Sequence, residues 1–352
     1  MKKALVTGAA GFIGSNVVRE LIEEGVDVRA LVLPGEDMRN LAALDVERVE
    51  GNILDPPAID RALKGCDTLF HLAAIYSLQS KHKELIYRVN LQGSRNVLWA
   101  ARRAETEKIV YTSSIAGIGL KPGMEPANEE TEFNQFYNAD DYVLSKYLAQ
   151  EEALTFAREG MPIVVVNPCF PFGEGDLVPT PTGMLITWVV NGWPFMYPPV
   201  GLNAVDVKDV AKGHVLAAKR GRIGEKYILG NQNITFREMF KLIRKVAGFK
   251  AHFSKMPLFL SKLYGDVCVM AEEKAGVKAF TTRQEVCYLA QYLYFDVSKA
   301  KEELGLELTP IEDSIARAIE WFEREGYIPD NGLGFRFARL LRRLLYYIPI
   351  GE

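Results

Sequence analysis

Residues 6–14 read Val-Thr-Gly-Ala-Ala-Gly-Phe-Ile-Gly, three glycines spaced three apart behind a short apolar run, Ala4-Leu5-Val6. Apolar residues at helical spacing follow, namely Val17, Val18, Leu21 and Ile22. A strand, a tight glycine turn and a helix are therefore expected in that order. Few arrangements need three glycines there. Gly8 permits the tight turn, Gly11 lets a ligand's pyrophosphate approach the backbone, and Gly14 lets helix and strand pack closely. Phe12 and Ile13 open the helix, whose first N–H groups and partial positive charge suit phosphate. Gly8, Gly11, Phe12, Ile13 and Gly14 are thus expected to bind a dinucleotide.

The pattern that begins at this turn continues. Strands are expected at Lys3–Thr7, Asp27–Val32, Val46–Glu50, Thr68–His71, Lys108–Ser113 and Pro162–Val166, with helical segments between most of them. Such alternation predicts an α/β fold, a doubly wound parallel sheet of the Rossmann kind with helices on both faces. After Asn167 prolines crowd the chain (Pro168, Pro171, Pro179, Pro181, Pro194, Pro198, Pro199), which reads as irregular chain around a pocket with a helix near Gly183–Asn191. Later helices are expected at Val207–Lys219, Phe236–Ala247 and Glu312–Glu325. Residues 1–168 with about 202–230 would form the dinucleotide-binding domain. Residues of about 169–201 and 231–330 would form a smaller α/β substrate domain, mostly C-terminal. Residues 331–352 remain as a tail in which Phe337, Leu340, Leu341, Leu344, Leu345 and Ile348 share one helical face and Arg336, Arg339 and Arg343 the other.

Composition narrows the function classes. The formal net charge of the 352 residues is −3, which gives nucleic acid no electrostatic footprint. The four cysteines (Cys66, Cys169, Cys268, Cys287) form no C-x-x-C pair and the four histidines show no ligand spacing, so no metal is expected. A reducing cytoplasm is the expected compartment. The basic amphipathic tail adds two candidate partners, a membrane surface touched peripherally or a second copy in a homodimer.

Tyr142 and Lys146 lie four apart, on one face if helical. A free tyrosine titrates near pKa ~10, and a neighbouring ammonium favours its phenolate. The pair therefore suits proton exchange with a carbonyl or alcohol oxygen, with Lys146 also able to bond a nicotinamide ribose. The pair Ser113-Ser114 follows a strand and offers a hydroxyl beside it. His71 and His214 read as structural, and Asp206 and Asp209 as helix-start residues.

The G-x-x-G-x-x-G spacing resembles the extended short-chain dehydrogenase/reductase family. Further motifs agree in order: Gly51-Asn52-Ile53-Leu54-Asp55, His71-Leu72-Ala73-Ala74, Val89-Asn90-Leu91-Gln92-Gly93, Tyr111-Thr112-Ser113-Ser114, Tyr142-x-x-x-Lys146 and Asn167-Pro168. Within the family the chain looks most like the dihydroflavonol-reductase-like branch, close to hopanoid-associated sugar-epimerase-like proteins. The resemblance implies Ser114, Tyr142 and Lys146 as catalytic, with Ser113 the next candidate hydroxyl. It implies that Asn52 and Ile53 border the adenine and that Ala73 and Ala74 line the path of the pyrophosphate and ribose. It adds Asn90 and Pro168 to the cofactor site. Asn52 stands where the family usually has Asp, and Asp206 and Lys208 also depart from its pattern.

The cofactor would be NADP or NAD. Leu33 ends the second strand and contacts neither a 2′-hydroxyl nor a 2′-phosphate well, while Arg39 in the following loop tilts the expectation to NADP. The expected activity is NAD(P)-dependent reduction of a carbonyl, or oxidation of the alcohol, on a hydrophobic or lipid-like small molecule. No Arg or Lys occurs between Val178 and Val207 to meet a diphosphate, although Arg283 could serve one. A nucleotide-sugar epimerase or dehydratase with bound NAD, and a non-catalytic dinucleotide-binding scaffold, remain the alternatives.

Overall fold

The computed structural model describes residues 1–76, 83–192, 196–248, 254–255, 257–275, 286–288 and 290–329. Arg283, Pro194 and the amphipathic stretch after residue 330 lie outside them.

The first half builds one sheet. Its strands are β1 (Lys3–Thr7), β2 (Asp27–Val32), β3 (Glu47–Glu50), β4 (Thr68–His71), β5 (Lys108–Thr112) and β6 (Ile163–Pro168). The helices between them are α1 (Phe12–Glu23), α2 (Pro56–Leu63), α3 (Lys83–Tyr87), α4 (Ser94–Arg103) and α5 (Asp141–Arg158). A π-helical turn, Arg88–Gly93, joins α3 to α4. The expected strands differ from these by one or two residues at their ends, where ladders fray.

Beyond β6 the chain leaves the sheet. It forms β7 (Phe170–Phe172), α6 (Pro181–Asn191), β8 (Met196–Tyr197) and β9 (Gly201–Asp206), then α7 (Val207–Arg220) and β10 (Lys226–Leu229). The rest comprises β11 (Gln232–Thr235), α8 (Phe236–Val246), β12 (Ser254–Lys255), α9 (Leu258–Ala275), β13 (Tyr292–Leu293) and α10 (Ile311–Arg324).

The large sheet runs β3-β2-β1-β4-β5-β6-β10, and every neighbouring pair is parallel. It is a Rossmann-like doubly wound sheet, whose order reverses beside β1. Apolar clusters cover both faces. One packs α1 and α7 on the sheet through Val17, Val18, Leu21, Val210 and Val215. The other packs α2, α4 and α5 through Ile59, Val97, Leu98, Ala149 and Ala153. Because both faces are covered, the strands are apolar runs without alternation, as in the fully buried Ile163–Pro168.

A smaller sheet of β7, β9, β11 and β13 packs with α6, α8 and α10 through a third cluster that includes Phe172, Ile186, Phe240, Ile315 and Phe322. Two expectations change here. The large sheet gains a seventh strand, β10, which pairs with β6 through Tyr227↔Val166 and Ile228↔Asn167. The stretch 202–206 belongs to the smaller sheet, since β9 pairs with β7, β11 and β13. The chain rejoins the large sheet only at α7. Short buried strands such as these carry no period of their own, so their partners are chosen by packing.

Candidate active site

The glycine turn sits at the C-terminal end of β1, beside the point where the strand order reverses. Gly8 has a φ of +66°, and a Cβ there would lie 2.8 Å from the Ala73 nitrogen. Two constraints thus require glycine at this position, the left-handed backbone and the passage of the chain after β4. A Cβ on Gly14 would lie 2.0 Å from the Gly8 oxygen, so helix and turn touch. Gly11 is different. Its Cβ would meet only the Gly8 oxygen, at 3.3 Å, with nothing else within 4 Å. The space before it is open, as a pyrophosphate would need. No side chain caps α1, and no acidic residue lies in its first turn. The leading N–H groups of Phe12, Ile13 and Gly14 therefore lack side-chain acceptors and point where an anion would sit.

Thr7 fixes the far wall. Its hydroxyl accepts from the Leu72 and Ala73 nitrogens, each at 3.2 Å, and bonds His71 Nδ1 at 2.7 Å. His71 Nε2 meets Ser94 Oγ at 3.0 Å. Burial and the nearby Lys146 push His71 down to about 3, so it is a neutral structural tie, as its sequence context suggested. Asn90 holds the same wall from the other end. Its Oδ1 accepts from the Ile75 nitrogen at 2.8 Å, and its Nδ2 donates to the Ile75 oxygen at 3.0 Å and to Ser145 Oγ at 3.0 Å. The side chain is buried and engaged at both ends. Asn90, expected at the cofactor site, thus holds the chain after Ala73 and Ala74 in place from the π-helical turn.

Asn52, expected to border the adenine, turns its Oδ1 back to accept from the Leu54 nitrogen at 2.9 Å. Ile53 is buried, and its Cδ1 would lie 2.6 Å from a Cβ on Gly93. Asn96 Nδ2 secures the Ile53 oxygen at 3.1 Å. Pro168 ends β6 and is buried. Arg39 is not a free cation awaiting a phosphate. Its Nε and Nη2 donate to Asp37 Oδ2 at 3.0 and 2.8 Å, and its Nη1 donates to Glu325 Oε2 at 2.8 Å.

The residues expected to handle protons come from α5 and from the turn after β5. Asp140 caps α5 by accepting from the Val143 nitrogen at 2.8 Å. Ser114 caps the short turn Ile115–Gly117, accepting from the Ala116 nitrogen at 3.1 Å. The Ser114 hydroxyl lies close enough to the Tyr142 phenol to lower it. Ser113 turns elsewhere; its hydroxyl is buried and has no partner among the described residues. Tyr76 stacks edge-on against Tyr142, with ring centroids 4.8 Å apart.

Lys146 Nζ donates to the Thr112 oxygen at 2.9 Å. Burial pushes the Lys146 ammonium down to about 8. Burial also pushes the Tyr142 phenol up to about 12, with the Ser114 hydroxyl pulling the other way. The expected lowering of the phenol by the ammonium is thus overridden, since desolvation disfavours both charged forms.

Sequence reasoning missed two side chains that hold this arrangement. Gln150 Nε2 donates to the Gly117 oxygen at 2.8 Å. Asn167 Nδ2 donates to the Ser114 oxygen and to Gln150 Oε1, each at 2.6 Å. The signal was a continued stripe: Tyr142, Lys146 and Gln150 recur every four residues along one helix face. His214 and Asp206 behave as expected. His214 bonds Thr112 Oγ1 and the Val210 oxygen, and Asp206 caps α7 through the Lys208 nitrogen at 2.7 Å. Arg317 also pairs with the fully buried Asp206, joining α7 to α10. Among the described residues no cluster of His, Cys, Asp or Glu could hold a metal ion.

A model of the "NAD dependent epimerase/dehydratase family" matches residues 4–230. A Synechocystis protein named "Putative dihydroflavonol 4-reductase" is 39% identical, covering 92% of this chain and 95% of that one. "Sterol demethylase protein B" of Methylococcus capsulatus is 29% identical, over 92% of this chain and 99% of its own. The crystal structure of gox2253 superposes with a TM-score of 0.83 at 39% identity, covering 93% of this chain and all of that one (100%).

Proposed function

The chain belongs to the NAD dependent epimerase/dehydratase family, and from that premise we propose that it interconverts a carbonyl and an alcohol on a hydrophobic or lipid-like substrate. It is an enzyme of the extended short-chain dehydrogenase/reductase type with a nicotinamide dinucleotide as cofactor. The observation that best supports the proposed reaction is the meeting of Tyr142 and Lys146, one turn apart on α5, with the end of β5, where Lys146 Nζ donates to the Thr112 oxygen two residues before Ser114.

The cofactor, when bound, supplies or takes up the hydride. The open first turn of α1 would hold its pyrophosphate, and the wall at Ala73 and Ala74 would flank its ribose. Lys146 would reach that ribose from its seat on the Thr112 oxygen. Ser114 would hold the substrate oxygen beside Tyr142. The phenol, held up to about 12, rests protonated at neutral pH. That is the state needed to give a proton to a carbonyl oxygen in the reductive direction.

The apolar segment Cys169-Phe170-Pro171-Phe172 and the absence of Arg and Lys from Val178 to Val207 favour a hydrophobic substrate over a nucleotide sugar. The name of the Methylococcus relative points the same way. A panel of hydrophobic aldehydes and ketones against UDP-sugars, read by loss of nicotinamide absorbance, tests this function. Consumption of added NAD(P)H with the carbonyl panel supports it. Conversion of a UDP-sugar with no net cofactor consumption would establish the epimerase instead.

A peripheral membrane contact would suit such a substrate. Phe259, Leu263, Val267 and Met270 recur every three or four residues on α9, and each is at least half exposed. An apolar stripe of this size on a monomer surface usually marks a contact. The basic amphipathic sequence of 335–350 supplies the positive charge that an anionic bilayer attracts. Among the described residues no helix is long and apolar enough to cross a membrane.

A further inference from the structure

Arg39 stands at the rim of the cleft proposed for the nucleotide. It follows β2, and its neighbour Asn40 ties the loop to the glycine turn. Asn40 is buried, and its Nδ2 donates to the Ala10 oxygen at 3.0 Å and to the Gly175 oxygen at 2.8 Å. The position of Arg39 is therefore set by the turn itself. Its charge is not available, however. Asp37 accepts from the Arg39 backbone nitrogen at 3.0 Å and from two guanidinium nitrogens, Nε and Nη2. Glu325, which ends α10 and lies 286 residues away in sequence, takes a third at 2.8 Å. The Glu325 side chain is only 17% exposed, against 57% for Arg39, so the carboxylate is the better ordered partner. Glu36 adds a third carboxylate, accepting from the Leu33 nitrogen at 2.9 Å.

One guanidinium thus meets two carboxylates, while that of Glu36 is bonded within the same loop. A 2′-phosphate at this rim would have to displace Glu325 and would be repelled by the acids left behind. A free 2′-hydroxyl carries no charge and meets no such opposition.

We propose that Glu325, reaching from α10 to Arg39, is a specificity-determining residue that withholds the guanidinium from a 2′-phosphate and so disfavours NADPH relative to NADH. This rests on the glycine turn being the nucleotide site. The same contact ties the loop after β2 to the element that packs under the smaller sheet, so a phosphate on Arg39 competes with that tie.

Nicotinamide fluorescence titrations of the full chain with NADH and NADPH test the assignment. Wild type is expected to bind NADH more tightly. Glu325→Gln is expected to raise NADPH affinity relative to NADH by about two- to fivefold, the range for one exposed ion pair. Glu325→Lys is expected to raise it further, and high salt to shrink both gains. Adding Arg39→Gln to Glu325→Gln should erase the gain. An unchanged NADPH-to-NADH ratio in Glu325→Gln and Glu325→Lys, with both nucleotides still bound, overturns the role of Glu325 alone. Binding of neither nucleotide to wild type overturns the nucleotide site and this inference with it.

Discussion

Gln150 donates to the Gly117 oxygen at 2.8 Å, two helical turns beyond Tyr142 on the same face of α5. With Lys146 on the Thr112 oxygen, the helix grips the end of β5 and the turn after it at two successive levels. A Cβ on Gly117 would lie 2.9 Å from Gln150 Oε1, so a side chain there would displace the Gln150 amide. The hydroxyl and the phenol are thereby held together before any substrate arrives.

Gln150→Met removes the donor and keeps the volume. It should lower kcat by about 5- to 50-fold, the cost of one lost hydrogen bond compounded by misplacement of Ser114. Nucleotide affinity should hold, because the glycine turn is untouched. The Tyr142 phenol should titrate higher, as the Ser114 hydroxyl that lowers it moves away. Difference absorbance of tyrosine and steady-state kinetics check both; unchanged kcat and an unmoved phenol would remove Gln150 from this role.

Tyr142→Phe should lower turnover by about 100-fold or more, the usual contribution of a proton donor, with nucleotide binding retained. In wild type the two directions should diverge with pH. With the phenol at about 12, only on the order of one Tyr142 in ten thousand is ionised at pH ~8. Carbonyl reduction, which needs the protonated phenol, should be active at neutral pH. Alcohol oxidation, which needs the phenolate, should climb steadily into alkaline pH. Rates measured in both directions across the pH range check this, and a neutral optimum for oxidation would contradict it.

Asp176 supplies a stability prediction. Its carboxylate is buried and accepts from Thr180 through the backbone nitrogen at 2.9 and 3.0 Å and the hydroxyl at 2.8 Å. Burial outweighs these bonds and pushes it up to about 7. The folded chain then holds a proton that the unfolded chain releases near 3.8, so this group's stabilisation is lost as pH rises through 7. Asp176→Asn should raise stability, and with it Tm, at pH ~8 by on the order of a few kcal/mol at most, and by clearly less at pH ~5. Thermal melts at the two pH values decide the matter; equal effects at both would contradict the buried-proton account.

Full-length protein should co-sediment with anionic liposomes and lose binding at high salt. A version ending at Asn331, and the double variant Phe259→Ser with Leu263→Ser, should both bind less. Equal sedimentation of all three would discard the membrane contact.

The sequence by itself determined the local frame. Three glycines in step, strand–helix alternation and the spacing of Tyr142 from Lys146 follow from backbone sterics and helical period, which act within a few residues. Those features sufficed for the parallel sheet and for the place of the nucleotide turn. Tertiary structure decided what the side chains do. Gln150 meets Gly117 across 33 positions, Asn167 meets Ser114 across 53, and Glu325 meets Arg39 across 286. No local period encodes such pairs; they exist because packing brings distant elements within hydrogen-bond reach. The same packing made Asn90 a clamp on Ile75, raised Tyr142 where its neighbour alone would have lowered it, and left Arg39 between two carboxylates. Charge and spacing can be read along a chain, whereas desolvation and pairing depend on which surfaces the fold brings together.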